Sequence, residues 1–255
     1  RSEEVLYNNQ KTKSILFHVM EIICLKHSCC VIAQTESNRK IAQVYNKQAL
    51  FLGNGISLDE FVNVNNSQIF EEYRIRLTKP LVGFIGNWEN WMRIEDLLEA
   101  SEYLQSANII VIGEGKGITE FKERYTKVIF TGKIPHKDAI RFLSNFSVCV
   151  SPHSKDEIML YKSAVKTFEY MAAGKPIIVS DCKPLKRVVN TTKSGVVFKA
   201  NDPFDLARLI IKLYKNKELY KKMSINSFKV SQGKYSWEND KNRLLEVYRS
   251  IPNKV

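Results

Sequence analysis

Residues 164–181 read AVKTFEYMAAGKPIIVSD, and the way this stretch changes character halfway decides how the chain folds. Its first half has helical spacing: Val165, Phe168 and Met171 fall three apart, and Ala172 fills out the same stripe. Gly174 offers the left-handed residue that ends such a helix, and Pro176 stops it and opens an apolar run through Ser180. Two opposite charges, Lys166 and Glu169, stand at the entrance of this helix–turn–strand unit. A surface ion pair three residues apart explains them at a gain of a few tenths of a kcal/mol, roughly. A helix N-terminus carries free N–H groups and a partial positive charge, so it also suits a phosphate, with Lys166 as an added cation. Glu169, one turn on, is then placed to accept from sugar hydroxyls, as acidic groups do for ribose. Spacing alone leaves both readings open.

Outward from this unit the same alternation repeats. LVGFIG (81–86), NIIVIG (108–113), KVIFTG (127–132), SVCVSP (147–152), PIIVS (176–180) and GVVF (195–198) read as strands buried on both faces. Helix-period segments lie between them, near 91–105, 117–125, 137–144, 163–173 and 183–189. The implied fold is α/β, a doubly wound, parallel, Rossmann-like sheet with helices on both sides. Gly86, Gly113 and Gly132 end the first three runs, at the strand ends where open α/β sheets bind ligands. Upstream, 13–28 reads as an amphipathic helix with Ile15, Val19, Ile22 and Ile23 on one face, followed by strand, helix and strand through residue 53. Residues 1–53 hold too little sheet for an independent domain and are expected to be the remnant of one. Residues 54–79, opening on the Asn54-Gly55 turn signal, read as a hinge or linker, and 80–235 as the main domain. The last segment, 236–255, reads as a helix capped by Ser236 and anchored by Trp237.

The 255 residues are 44% hydrophobic and 26% charged, an ordinary globular balance, with a net charge of +12. Residues 201–255 carry 12 Lys/Arg against 6 Asp/Glu, half of that excess. An anionic membrane surface fits this charge, although solvated helix faces explain it more simply. No aromatic-and-basic ribbon accompanies it, so nucleic acid is not expected as a partner. The five cysteines are scattered without a Cys-x-x-Cys pair, and no His cluster has metal spacing, which argues against a disulfide framework or a zinc site. A reducing, cytoplasmic setting is expected, with any membrane contact peripheral and at the inner face.

The stretch KTFEYMAAGKPIIVSD closely resembles the signature of the GT-B nucleotide-sugar glycosyltransferases, the retaining group 1 or family 4-like enzymes. LGNGISLDEF (52–61) resembles their interdomain hinge, VGFIGNWENWMRIEDLLEA (82–100) their first glycine loop and its helix, and VIGEG (111–115) the next strand end. VIFTGKIPHKDAIRFL (128–143) and YSWENDKNRLLEVY (235–248), the latter like the helix that crosses back to the first domain, extend the likeness over about 50–251. The resemblance implies glycosyl transfer to a saccharide or lipid-linked acceptor, as in polysaccharide biosynthesis, by a two-domain enzyme whose 1–53 remnant belongs to the acceptor domain. It implies a donor diphosphate held at Ser163, Ala164, Val165 and Lys166 and near Gly86 and Asn87, with Glu169 on the ribose. The base is expected against Lys133 and Ile134, with Gly113 and Gly115 nearby. No metal or other cofactor is implied, since the helix end and cations neutralise the leaving diphosphate.

Three departures accompany the likeness. Tyr161 stands where many members have an acidic residue eight before Glu169, and Glu157 or Asp156 is a candidate to take over the sugar contact. Asn87 and Met92 align with the Arg and Lys of the usual glycine loop, leaving Arg93 as the nearest substitute. By the resemblance, the acceptor domain is expected to be mostly missing from these 255 residues. His136 and His153 sit at strand ends and are either solvated or in contact with the donor, while Trp88 and Trp91 suit a sugar platform or plain packing. Two rivals stay open: a sugar-nucleotide epimerase of the same architecture, and a non-catalytic module that binds nucleotide sugar and is completed by a second chain.

Overall fold

The computed structural model describes residues 11–251 except 54, 62, 63, 65–67, 78, 164 and 234, and of residues 11–14 the backbone only. Asn54 and Ala164, singled out above, therefore lie outside the described residues. The first described elements are α1 (Lys11–His27), β1 (Val31–Ala33), α2 (Glu36–Tyr45) and β2 (Ala49–Phe51). Strands β1 and β2 pair in parallel as a small separate sheet. After a 3-10 turn (Leu58–Phe61) and the short α3 (Ile69–Glu72) the larger unit follows. It runs β3 (Leu81–Ile85), α4 (Ile94–Ala100), β4 (Asn108–Ile112), α5 (Ile118–Arg124), β5 (Val128–Gly132), α6 (His136–Asn145) and β6 (Val148–Ser151). Then come α7 (Val165–Ala172), β7 (Ile177–Ser180), α8 (Lys183–Thr192), β8 (Gly195–Phe198), α9 (Pro203–Lys215), α10 (Lys217–Gln232) and α11 (Trp237–Ser250).

The six strands form one all-parallel sheet in the order β5-β4-β3-β6-β7-β8, so the winding reverses between β3 and β6. Alternate residues of each strand feed two cores, which is why the strands read as unbroken apolar runs. On one face Val82, Phe84, Val111 and Val150 pack with Leu97 of α4 and with Leu206 and Ile210 of α9. On the other, Ile110, Cys149 and Val179 meet Phe142 of α6, Met171 of α7 and Leu185 of α8. Ile56, Ile69, Phe70 and Tyr73, from the 54–79 stretch that reads as a hinge or linker, join this second core. Tyr73 donates to Asp138 of α6 at 2.8 Å, and Arg141 of α6 pairs with Glu72 at 2.6 Å, tying α3 to the sheet's helical layer.

Two expectations shift at the chain's crossing points. Ser236 precedes α11, but its hydroxyl caps nothing; it is buried in a bridge to Ile56, and Trp237 N–H donates to Ile56 O at 3.0 Å. Trp237 itself stays exposed, and the buried anchor is Tyr235, stacked on Phe168 with ring centroids 4.3 Å apart. From there α11 returns to the small sheet, where Arg243 donates to Phe51 O at 2.7 Å. In α1 the apolar residues are not gathered into a buried face: Ile15, Leu16, Phe17, Val19, Met20 and Ile23 are all exposed. Among the described residues no helix is long and apolar enough to cross a membrane.

Gly83 shows how tightly the central strand is packed. A Cβ built there would lie 1.9 Å from the Phe146 ring, itself fully buried. Gly83→Ala is expected to cost about 1–3 kcal/mol in denaturant unfolding through overpacking, and Phe146→Leu in the same chain to recover part of that loss.

Candidate functional site

The site is built at the carboxyl ends of the strands around the reversal point. Gly86 and Gly113 both have φ of 127°, a region closed to side chains, and this lets the two loops lie against each other. A Cβ on Gly113 would sit 2.4 Å from Gly86 O. The strand ends are stitched by Gly86 N–H to Ile112 O (2.8 Å), Trp88 N–H to Glu114 O (3.1 Å) and Gly113 N–H to Gly132 O (2.9 Å). Asn87 lends its side-chain oxygen to Glu114 N–H at 3.4 Å, and Trp88 pairs with Gly115. Trp88 is packed away and donates its indole N–H to Lys116 O at 3.0 Å, so packing accounts for it. Trp91 is half-buried, with Lys162 Nζ 4.0 Å from its ring centre.

Across the reversal point the loop after β6 zips onto the glycine loop. Arg93 N–H donates to Pro152 O (3.0 Å), Ser154 N–H to Trp91 O (2.9 Å), and Met92 and His153 form an antiparallel bridge. These bonds delay the start of α4 to Ile94, although helical spacing begins near residue 91. They also set His153 in a buried niche, with its N–H on Ser180 Oγ at 3.0 Å. Burial and the nearby Lys166 ammonium push its imidazole down to about 4, so it is neutral at pH 7.

The first turn of α7 enters beside these loops. Lys166 extends into the space a side chain at Gly86 would need: a Cβ there would lie 2.4 Å from Nζ. Among the described residues its Nζ meets Asn87 O at 3.4 Å, Met92 Sδ at 3.6 Å and the Phe84 ring at 4.9 Å, and no carboxylate within 4.0 Å. Burial drives its pKa down to about 8, with Glu169 opposing. The lysine thus touches both residues that align with the usual glycine-loop cations, Asn87 and Met92, and brings an ammonium to them from α7. Tyr170 braces the approach: Ile85 N–H donates to its hydroxyl at 2.9 Å, and Ser151 and Thr167 hydroxyls meet at 3.1 Å.

Glu169 is half-buried, and burial raises its carboxyl, opposed by His136 and Lys166 and reinforced by Glu60. In the loop between β5 and α6, Lys133 is exposed and Ile134 packs on the second core. Gly86, Asn87, Gly113, Gly115 and Lys166 come together at the strand ends, Glu169 lies one turn further along α7, and Ser163 leads into the helix half-exposed. Val165 is exposed at 38% and does not share the buried stripe of Phe168, Met171 and Ala172. Two residues stand apart. Arg93 turns its guanidinium to Asp96, three residues on, at 3.5 Å, and Glu157 is exposed in a 3-10 turn (Glu157–Leu160) packed against α8. Sequence reasoning missed Tyr170, whose Glu-Tyr-Met setting offered an apolar reading only, and Glu60, which carries no local signal.

Comparison with known proteins agrees with this architecture. The profile of the family described as glycosyl transferases group 1 matches residues 65–230, and the chain belongs to that family. An uncharacterized glycosyltransferase of Methanocaldococcus jannaschii, MJ1069, is 22% identical over 224 residues, covering 82% of this chain and 55% of that protein. The chain spans about half the length of the curated relatives it matches. The fold is shared with sucrose-phosphate synthase of Thermosynechococcus elongatus (TM-score 0.74, 21% identity, 91% of this chain and 61% of that one). It is shared also with Anabaena Alr3699/HepE, solved in complex with UDP-glucose (TM-score 0.76, 13% identity, 89% of this chain and 65% of that one).

The position of Lys166 has a consequence for stability. At pH 7 the ammonium is charged both folded and unfolded, and the depression from 10.5 to about 8 is a cost borne by the folded state alone. That cost fades as pH rises above 8 and the native lysine loses its proton first. Lys166→Met is expected to raise stability at pH 7 by about 1–3 kcal/mol, read from thermal unfolding, with the gain shrinking in strongly alkaline buffer.

Proposed function

We propose that this chain is the donor-binding part of a glycosyltransferase that moves a sugar from a nucleoside diphosphate sugar to a saccharide or lipid-linked acceptor. The observation that carries the reading is the Lys166 ammonium, held beside Gly86 and the N-terminus of α7 with no carboxylate within 4.0 Å among the described residues. A cation, free helix N–H groups and a glycine loop on which backbone can approach closely are the chemistry a diphosphate requires. The diphosphate lies along Gly86, Asn87 and residues 163–166, the ribose on Glu169, and the base on the backbone of Lys133 and Ile134, near Gly113 and Gly115.

In the transfer the bond between the anomeric carbon and the phosphate oxygen breaks with its electron pair going to the phosphate. An acceptor hydroxyl oxygen bonds to that carbon, and its proton passes to the leaving diphosphate. Lys166 and the α7 N–H groups stabilise the charge that develops there, and Glu169 fixes the donor by its ribose. His153, neutral and buried beside the lysine, adds no competing positive charge. The acceptor side falls to the β1–β2 unit and to the part of the enzyme that completes it, in the same polypeptide or in a second chain.

Calorimetric titration of the 255-residue chain with UDP and GDP tests the reading. One of the two is expected to bind, with affinity reduced about 10- to 100-fold in Lys166→Met and about tenfold in Glu169→Ala. Binding that is indifferent to both substitutions would remove the donor site from this face. The nucleotide affinity of the unaltered chain should also weaken as pH rises past about 8, where the lysine discharges.

A further inference from the structure

Lys166 is not the only lysine that leans on the glycine loop from the entrance to α7. Lys162, half-buried and just ahead of that helix, holds its Nζ 4.0 Å from the centre of the Trp91 ring. Trp91 is the neighbour of Met92, whose Sδ lies 3.6 Å from Lys166 Nζ, so the two ammoniums rest on consecutive residues of one loop. That stretch of loop is fixed from behind: Ser154 N–H donates to Trp91 O at 2.9 Å, and the indole packs against the core that α4 and α9 cover. Lys162 also directly precedes residues 163–166, along which the diphosphate reading runs.

We infer that Lys162 is a second cation for the donor diphosphate, held on the face of Trp91 until a diphosphate draws it across to a phosphate oxygen. This rests on the donor-site reading above. A diphosphate carries more negative charge than the Lys166 ammonium offsets, and a lysine supplies a mobile point charge with rotatable donors on a flexible stem. An ammonium over a half-exposed indole is held weakly, whereas a hydrogen bond to phosphate with charge on both partners is strong, so the exchange runs toward the phosphate. The same movement bares the Trp91 face beside the entrance to α7.

The test is calorimetric titration of the full chain with inorganic pyrophosphate, which has the diphosphate chemistry without the nucleoside. Lys162→Met should weaken binding about tenfold, and Lys162→Arg should keep it. Trp91→Leu removes the competing contact and should tighten binding about two- to fivefold, a gain that should vanish when Lys162→Met is also present. Acrylamide quenching of tryptophan fluorescence should rise when pyrophosphate is added to the unaltered chain, and the rise should be absent from both single variants. An unchanged affinity in Lys162→Met overturns the inference. So does quenching that pyrophosphate leaves unmoved, which reads the exchange even where Trp91→Leu fails to fold, and so does a Trp91→Leu effect that is the same with and without Lys162. Lys166→Met separates the two levels. If pyrophosphate does not bind, or binds regardless of that change, the donor-site reading falls and this one with it; a loss there with none at Lys162 overturns the inference alone.

Discussion

The carboxyl end of this sheet is organised by the fit between an ammonium and a strand end that carries no side chain. Lys166 reaches Asn87 O and Met92 Sδ only because Gly86 leaves the space in which its Nζ lies. Gly86 in turn holds its backbone at φ 127° because Gly113 admits Gly86 O where a Cβ would otherwise be. The helix, the glycine loop and the next strand end are thus fixed together by contacts that no larger residue at either glycine permits. Tyr170 adds a second tie between α7 and β3 through Ile85, so the first turn of the helix is held at a set distance from the loop.

This arrangement opposes stability. A half-buried lysine with no carboxylate within 4.0 Å among the described residues, near a histidine already driven to its neutral form, raises the free energy of the folded state. Such a local conflict between packing and charge is the pattern expected where binding has shaped a site, since an incoming anion relieves it. Elsewhere in the larger unit the balance runs the other way: the strands are apolar on both faces, and buried hydroxyls such as Ser101 and Ser227 donate to backbone carbonyls.

The strands were legible because a parallel strand covered on both faces leaves an uninterrupted apolar run ending in glycine, as at Ile85-Gly86 and Ile112-Gly113. The end of α7 was legible at Gly174, whose φ is 66°. Lys166 and Glu169 stood out by residue type and position, but the neighbours that give them meaning did not. Asn87 lies 79 residues from Lys166, and no local pattern reports that approach. Arg93 read as a replacement cation, yet the i, i+3 pairing with Asp96 in the first turn of α4 claims it. For Glu157, periodicity in a polar loop cannot say which way the loop folds, and it folds toward α8. The apolar residues of α1 were countable, but their number could not say that Ile15, Val19 and Ile23 would stay exposed.

The crossing point between the two sheets gives the site a mechanical context. Two strands of backbone pass there, at Ile56 and at Ser236, and they are bonded to each other rather than to either sheet. Each is also anchored within reach of the site: Tyr235 stacks on Phe168, one residue before Glu169, and Glu60 pairs with His136. The α2 end of the small sheet touches the loop before α7, with Asn38 donating to Tyr161 O at 3.3 Å. The helix α7 is thus tied on two sides, to the crossing point through Phe168 and to the small unit through Tyr161 just ahead of it. The backbone of the helix that carries both Lys166 and Glu169 is therefore fixed by contacts with residues far from it in sequence.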